Sequence, residues 1–435
     1  MNDKPAIPYG FNAARNTFPV YTDTRHLMTF GPTRSGKGAT VIVQTLLQAE
    51  HSILCIDPKG QNAAITARRR RDFGDVFVLN PFGLHTGEPW KLPAHRFNPL
   101  AHLSIDDKNV VAEVASLAEA LILTRGRDPY FDDTARDLVK LLILHLLATE
   151  KKATLPQLRK LLTLPEREFI ELMTVIYHES PHPVIRQAAP RFQRETRDIA
   201  SAISSAITQT AFLDDPVLAD PRTGTLTGTD FTMIQLKREP TTIFVILPAR
   251  YLEAYARLFR LIVTSAVDQL TSEPGGHPTL MILDEFATMQ NLPAISKAFG
   301  FAAGFNLQCW GFLQDLPQLK TIYQDKWESF IANAGLLQFF TPVDLTTAEY
   351  LQKRGGMTTD ERTSLSKNRT GDANLQRSET RSPILPMEET MSWPSDSQIV
   401  FLAGKHGAQL VGRKPYTSIE RLNGLWDEDP FHINK

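Results

Sequence analysis

The chain is poor in everything that would mark it for an oxidising compartment or a lipid bilayer. Its 435 residues contain two cysteines, Cys55 and Cys309, each inside an apolar run. They read as small core hydrophobes in a reducing compartment, which excludes a disulfide scaffold and a thiolate metal centre. No stretch of about 18 uninterrupted apolar residues occurs, so no segment is predicted to cross a membrane unaided. The first 20 residues are polar, with prolines and glycine, and lack the apolar centre of a signal peptide. A cytoplasmic location is expected. Charge of one sign is missing too, since 47 basic and 48 acidic side chains leave −1. That excludes a generally basic nucleic-acid binder and leaves room for a local basic stripe. The 11 histidines show no metal-ligand spacing. His95 and His102 are expected at the surface, and no structural metal is expected.

What is present is ordinary in amount and informative in order. An apolar fraction of 42% with 22% charged residues suits a soluble globular protein. Apolar runs recur at 26–30, 52–56, 75–79, 241–247, 279–283, 307–313 and 336–340. Several are apolar on both faces, as parallel strands covered by helices require. Helical patterns at 37–50, 251–270 and 343–353 separate them. The alternation predicts an α/β fold with a mostly parallel sheet.

From about residue 103 to 221 the alternation stops. Helices are predicted over 106–124, 131–149, 155–163, 165–178 and 183–212. Leu138, Leu141, Leu142, His145 and Leu146 recur at three-four spacing, which marks a buried helical stripe. We read an all-α domain at 103–225, inserted into a nucleotide-binding domain whose parts are 1–102 and 226–435. Residues 358–382 are polar and almost without large apolar side chains, so disorder or a mobile loop is expected there. Short strands return at 398–402 and 409–411.

The run Gly31, Pro32, Thr33, Arg34, Ser35, Gly36, Lys37, Gly38, Ala39 follows an apolar strand and opens a helix. That is the context of a phosphate-binding loop. Glycines let consecutive N–H groups turn toward phosphate oxygens, Lys37 brings a cation to the β- and γ-phosphates, and the helix adds its positive end. Gly38 stands where a Ser or Thr hydroxyl ordinarily touches Mg²⁺. Thr40 lies two residues on and turns to nearly the opposite face. A water or the Ser35 hydroxyl is expected to complete the metal shell.

A second apolar strand, 279–283, ends in Asp284 and Glu285. Asp284 is suited to holding the Mg²⁺ shell, and Glu285 to orienting and deprotonating the attacking water. The next strand ends in Gln314, whose amide could touch the γ-phosphate or merely cap the following turn. Loop and acidic strand together are the pattern of ATP hydrolysis.

Taken together these residues resemble the TraG-like type IV coupling proteins, conjugative ATPases related to the FtsK translocases. The resemblance extends over about residues 25–416. It includes the glycine at Gly38, the segment Ile56, Asp57, Pro58, Lys59, Gly60, then Asn80, Pro81 and Phe82, and the acidic end at Asp284 and Glu285. Gln314, Gln318, Leu319, Tyr323, Asn333, Thr347, Ala348, Gly355, Gly356, Arg381, Leu385, Pro386 and Glu388 continue it. It implies a P-loop NTPase (RecA/FtsK-like) using ATP and Mg²⁺, assembled as a homo-oligomer, a hexamer in the family. It implies as partners DNA, a relaxase or secreted protein, and a separate membrane or channel component at the cytoplasmic face of the inner membrane.

Three departures stand out. Family members usually carry an N-terminal membrane-spanning region, whereas this chain begins almost at the nucleotide domain. Gln61 replaces a common acidic residue. Residues 301–305 hold no Arg or Lys where some members present a finger for the neighbouring subunit, leaving Lys326 and Arg34 as candidates.

DNA binding, if sequence-independent, needs cations on one face. Arg68 to Arg71 read as a solvated helix end. The three-four spacing of Arg186, Arg191, Arg194 and Arg197 puts several on one helical face, and an intrahelical pairing with Glu195 or a helix–helix contact explains them equally well. Two rival functions remain open: a nucleotide-switched docking receptor with little turnover, and an intracellular DNA translocase unrelated to secretion.

Overall fold

The structure, a computed structural model, describes residues 6–124, 129–194, 196–367 and 373–432. Its strands are β1 (Ile7–Pro8), β2 (Val20–Tyr21), β3 (His26–Phe30), β4 (Ser52–Asp57), β5 (Asp75–Leu79), β6 (Thr241–Ile246) and β7 (Thr279–Leu283). They continue as β8 (Leu307–Leu313), β9 (Ala334–Phe339), β10 (Met357–Lys367), β11 (Ala373–Pro383), β12 (Ser397–Leu402) and β13 (Gln409–Gly412). Nine of them form one sheet in the order β13-β12-β9-β3-β8-β7-β4-β6-β5. From β9 to β5 every pairing is parallel, and β12 and β13 are added antiparallel.

The side-chain alternation of each strand divides the core in two. Leu27, Ile53, Cys55, Val78, Leu280 and Ile282 point to one face, where α1 (Val43–Gln48) and α2 (Gln61–Arg70) bury Leu46, Ala63 and Ala67. Met28, Phe30, Leu54, Ile56, Leu79 and Met281 point to the other. Both cysteines are free and buried, as expected.

Among the described residues no strand lies between β5 and β6. That stretch carries α3 (Val110–Leu121), α4 (Tyr130–Thr149), α5 (Leu155–Leu162), α6 (Glu166–Glu179), α7 (Pro183–Ala188), α8 (Arg197–Gln209), α9 (Pro216–Ala219) and α10 (Gln235–Arg238). Leu138, Leu141, Leu142 and Leu146 of α4 are buried as the spacing predicts, with Ile143 and Leu144 beside them, whereas His145 of the expected stripe is only half-buried. Helix α11 (Ala256–Leu270) packs against α3, and its apolar residues join the same cluster.

Two expectations fail here. Residues 183–212 are not one helix. Pro190 falls in a tight 3₁₀ turn after α7, and Thr196 opens α8 afresh, its hydroxyl accepting the Ile199 N–H at 3.3 Å. The polar stretch expected at 358–382 forms strands where it is described: β10 and β11 pair antiparallel from Met357↔Pro383 to Lys367↔Ala373, and residues 368–372 of that expectation lie outside the described residues. Backbone pairing needs no apolar face, so a polar sequence can still form a ribbon.

Candidate active site

Strands β3, β8, β7 and β4 are adjacent and parallel, so their C-terminal ends open at one sheet edge. Parallel sheets bind ligands at this edge. The loop after β3 begins where the Gly31 N–H donates to the Leu313 carbonyl of β8 at 3.0 Å. Arg34 and Gly36 take positive φ, 61° and 88°, and curl the loop back on itself. Pro32, Thr33 and Arg34 form its outer arc, and Lys37 opens the helix whose first turn, Gly38–Ile42, is a wide π turn.

Lys37 donates through Nζ to the carbonyl of Gly31 and to that of Pro32, the latter at 3.0 Å. Burial lowers its pKa, the carboxylates of Asp284 and Glu285 oppose that, and the charge of Lys59 adds to it. Thr40 Oγ1 donates to the Gly36 carbonyl at 2.8 Å, so that hydroxyl proton is committed within the helix. Ser35 Oγ, by contrast, is buried with no hydrogen-bond partner among the described residues. A Cβ at Gly38 would meet nothing within 4 Å, so the missing Ser or Thr there is not a steric requirement.

Beyond β7, Asp284 accepts a hydrogen bond from Asn62 Nδ2 at 3.3 Å. Burial and the neighbouring Glu285 push the Asp284 carboxyl up to about 6, against the pull of Lys37, Asn62 and Lys59. Glu285 itself sits at φ 74°, a left-handed conformation that costs a non-glycine residue about 1 kcal/mol or more. Gln314 directly follows β8, which lies between β3 and β7. It is not the cap of the next turn: Asp315 accepts the Gln318 N–H at 2.9 Å, and Gln314 donates its own N–H to Gln318 Oε1 at 2.9 Å. The loop from Gly31 to Ala39, Asp284, Glu285 and Gln314 thus converge on one edge.

Four residues at this edge had no assigned role in the sequence. Asp57, at the end of β4, is buried. Burial pushes its carboxyl up to about 7, opposed by the Ala63 N–H donating at 2.8 Å and reinforced by Asp284. Lys59 and Asn62 follow it in the turn into α2; all three lie in or just after a segment the sequence singled out. Arg413 comes from the end of β13, and its Nη1 donates to the Ser35 carbonyl at 2.7 Å. No sequence signal marks it.

A family model described as type IV secretory system conjugative DNA transfer matches residues 3–415. The chain belongs to this family. It is 30% identical to the conjugal transfer protein TraG of Escherichia coli, the match covering 93% of this chain and 68% of TraG. It is 30% identical to VirD4 of Agrobacterium fabrum, covering 92% of this chain and 60% of VirD4, so it spans less than two thirds of that relative. Among solved structures, the bacterial conjugative coupling protein TrwBdeltaN70 in its unbound form superposes with a TM-score of 0.70 at 17% identity, covering 93% of this chain and 88% of that one. TrwB in complex with ADP and Mg²⁺ gives 0.63 at 16% identity, covering 90% and 85%. The likeness shows the P-loop NTPase fold.

In this conjugative-transfer chain Arg68 and Arg71 are exposed at the end of α2 as expected, and other basic residues lie otherwise. Arg70 is 1% exposed rather than solvated, and it donates to Thr242 Oγ1 and to carbonyls of Leu46, Ala49 and His51. Arg68 pairs with Asp427 at 2.7 Å. Arg186, Arg191, Arg194 and Arg197 do not share a face, because the break at Pro190 distributes them over α7, the 3₁₀ turn, the connection and α8. Arg191 pairs with Asp137 at 3.0 Å, and Glu195 lies outside the described residues. His95 and His102 are half-buried, not at the surface: His95 Nδ1 accepts the Val78 N–H, and burial lowers the His102 pKa to about 4. Arg34 and Lys326 are exposed. Among the described residues no helix is long and apolar enough to cross a membrane, and no group of His, Cys, Asp or Glu is arranged to hold a metal by itself.

Proposed function

We propose that this chain is an ATP-hydrolysing coupling protein that recruits a relaxase–DNA complex or a protein substrate and drives its delivery to a type IV secretion channel. The observation that carries the reading is the convergence of Lys37 with Asp284 and Glu285 at one sheet edge, close enough for both carboxylates to act on the Lys37 ammonium.

In this reading the backbone from Gly31 to Ala39 cradles the phosphates, and Lys37 leaves the Gly31 and Pro32 carbonyls to meet the β- and γ-phosphates. A carboxylate oxygen of Glu285 accepts a proton from water as the water oxygen bonds to the γ-phosphorus. The bond from that phosphorus to the β–γ bridging oxygen breaks, and ADP and phosphate leave. Gln314 contacts the γ-phosphate and reports its loss along β8. The donor set suits a divalent cation: the Asp284 carboxylate and the unpartnered Ser35 hydroxyl would hold Mg²⁺. Bound Mg²⁺ would withdraw charge from the β- and γ-phosphate oxygens.

Residues 103–225 would form the substrate-facing all-α domain. DNA contact would be sequence-independent, the active form a homo-oligomer, a hexamer as the family resemblance implies, and a separate membrane or channel partner would hold the assembly at the inner membrane. The absence of Arg and Lys from 301–305 favours a second reading, a nucleotide-switched docking receptor with little turnover.

The deciding experiment is ATP turnover with and without single- and double-stranded DNA, beside Glu285→Gln and Lys37→Ala. Turnover that rises with DNA and vanishes in both variants supports the motor. Tight nucleotide binding without turnover supports the receptor.

A further inference from the structure

Lys59 lies in the turn that carries β4 into α2. The Gly60 N–H donates to the Asp57 carbonyl at 3.1 Å, and Gly60 takes φ 64°, so the chain reverses at once. The carbonyl of Lys59 accepts Nε2–H of His85 at 3.1 Å, and the His85 ring packs edge-on against Trp90 and Phe431. Asp57 accepts the Ala63 N–H, which fixes the first turn of α2. Asn62 then ties that turn to Asp284. The backbone of Lys59 is therefore held on several sides beside the acidic end of β7.

Its side chain is held by nothing. Lys59 is exposed, and among the described residues its ammonium makes no hydrogen bond or ion pair. Yet its charge reaches both Lys37 and Asp284, the two residues that bracket the phosphate site. Lys37 and Arg413, by contrast, are engaged with backbone carbonyls. A free cation beside a second cation is repelled until a polyanion arrives, and it gains most from the anion with the most charge.

We propose that Lys59 is a second phosphate-recognising cation, meeting the terminal phosphate of a nucleoside triphosphate from the β4–α2 side while Lys37 meets it from the loop. The assignment rests on the nucleotide-binding reading above. It makes Lys59 the residue that separates triphosphate from diphosphate, and a cation of the same chain supplies charge that residues 301–305 do not.

The test is equilibrium binding of a fluorescent non-hydrolysable ATP analogue and of fluorescent ADP to wild type, Lys59→Ala, Lys59→Arg and Lys37→Ala. Lys59→Ala is expected to lose about tenfold in affinity for the triphosphate analogue with ADP little changed, and Lys59→Arg to keep most of the preference. An equal loss for both nucleotides, or no loss for either, overturns the assignment while leaving nucleotide binding intact. Wild type binding neither nucleotide overturns the reading beneath it. Because Lys59 is exposed, thermal melting of the variants should match wild type; a shared drop in melting temperature would show a structural role instead and also overturn the proposal.

Discussion

Arg413 Nη1 donates to the Ser35 carbonyl at 2.7 Å, joining the end of the last strand to the phosphate loop across 378 positions of chain. Its Nε donates to the Ser397 carbonyl at 3.1 Å and its Nη2 to that of Ser395, and the guanidinium lies 3.9 Å over the Phe340 ring. Burial lowers its pKa to about 10, so it stays charged at neutral pH. The loop is thus braced from the antiparallel edge of the same sheet. Arg413→Met should remove three donors from partly buried carbonyls at a cost of about 1–3 kcal/mol. Affinity for ATP should fall about tenfold as the loop loosens. Calorimetric binding and melting of this variant check both; unchanged affinity would show that the loop holds its shape alone.

Gln61 Nε2 donates to both carboxylate oxygens of Asp429, at 3.0 and 2.8 Å. The acidic residue common at this position in the family resemblance would face a carboxylate here. The same terminal segment is fastened by Arg68 on Asp427 and by Trp90 Nε1 on the Glu428 carbonyl at 2.7 Å. Gln61→Glu should cost about 1–2 kcal/mol by setting like charges together. Adding Asp429→Asn should restore stability, as measured by thermal melting. A double variant no more stable than Gln61→Glu would refute the pairing.

Asp268 on α11 faces α3. Burial raises its carboxyl from 3.8 to about 7, with Glu113 and Glu119 adding to this and Lys297 and a Ser116 hydrogen bond opposing it. The folded chain keeps this proton over a range in which the unfolded chain has lost it, so unfolding releases it. Stability from this group is therefore full below about pH 4, falls as pH rises, and is gone above about pH 7. Asp268→Asn should flatten that part of the curve and be the more stable form near pH 8. Urea unfolding across this range measures it, and parallel curves for the two proteins would contradict it.

Arg260 is 2% exposed and donates to four carbonyls, those of Glu119 and Ala120 at the end of α3 and those of Met289 and Asn291 after the Glu285 turn. One side chain therefore joins the helical stretch to the strained segment carrying the proposed base. Arg260→Met should cost about 3–5 kcal/mol. With Arg260→Lys, which keeps the charge and loses the fork, turnover should drop more than nucleotide affinity, because the loosened turn is Glu285's and not the loop's. Equal effects on both would point to general destabilisation.

Strands 26–30, 279–283 and 307–313 were readable because each is buried on both faces, which leaves little choice of residue, and the edge strand 75–79 because its last residues are buried; all four recur with those bounds in the structure. The loop and the acidic pair were readable because each is a contiguous run whose chemistry is local. The 183–212 stretch was misread because apolar spacing continues through Pro190 while the backbone cannot. The 357–383 ribbon was missed because its order comes from backbone pairing, which composition does not record.

By itself, then, the sequence determined the α/β pattern, the phosphate loop and the acidic strand end, since these depend on periodicity and on neighbours a few residues apart. Only the tertiary structure decided that Arg70 is buried while Arg68 meets Asp427, that Arg413 braces Ser35, and that Lys59, unpaired among the described residues, acts on both Lys37 and Asp284. Those relations join residues dozens to hundreds of positions apart. They follow from strand order and register, which bring such residues together through packing and not through any spacing along the chain.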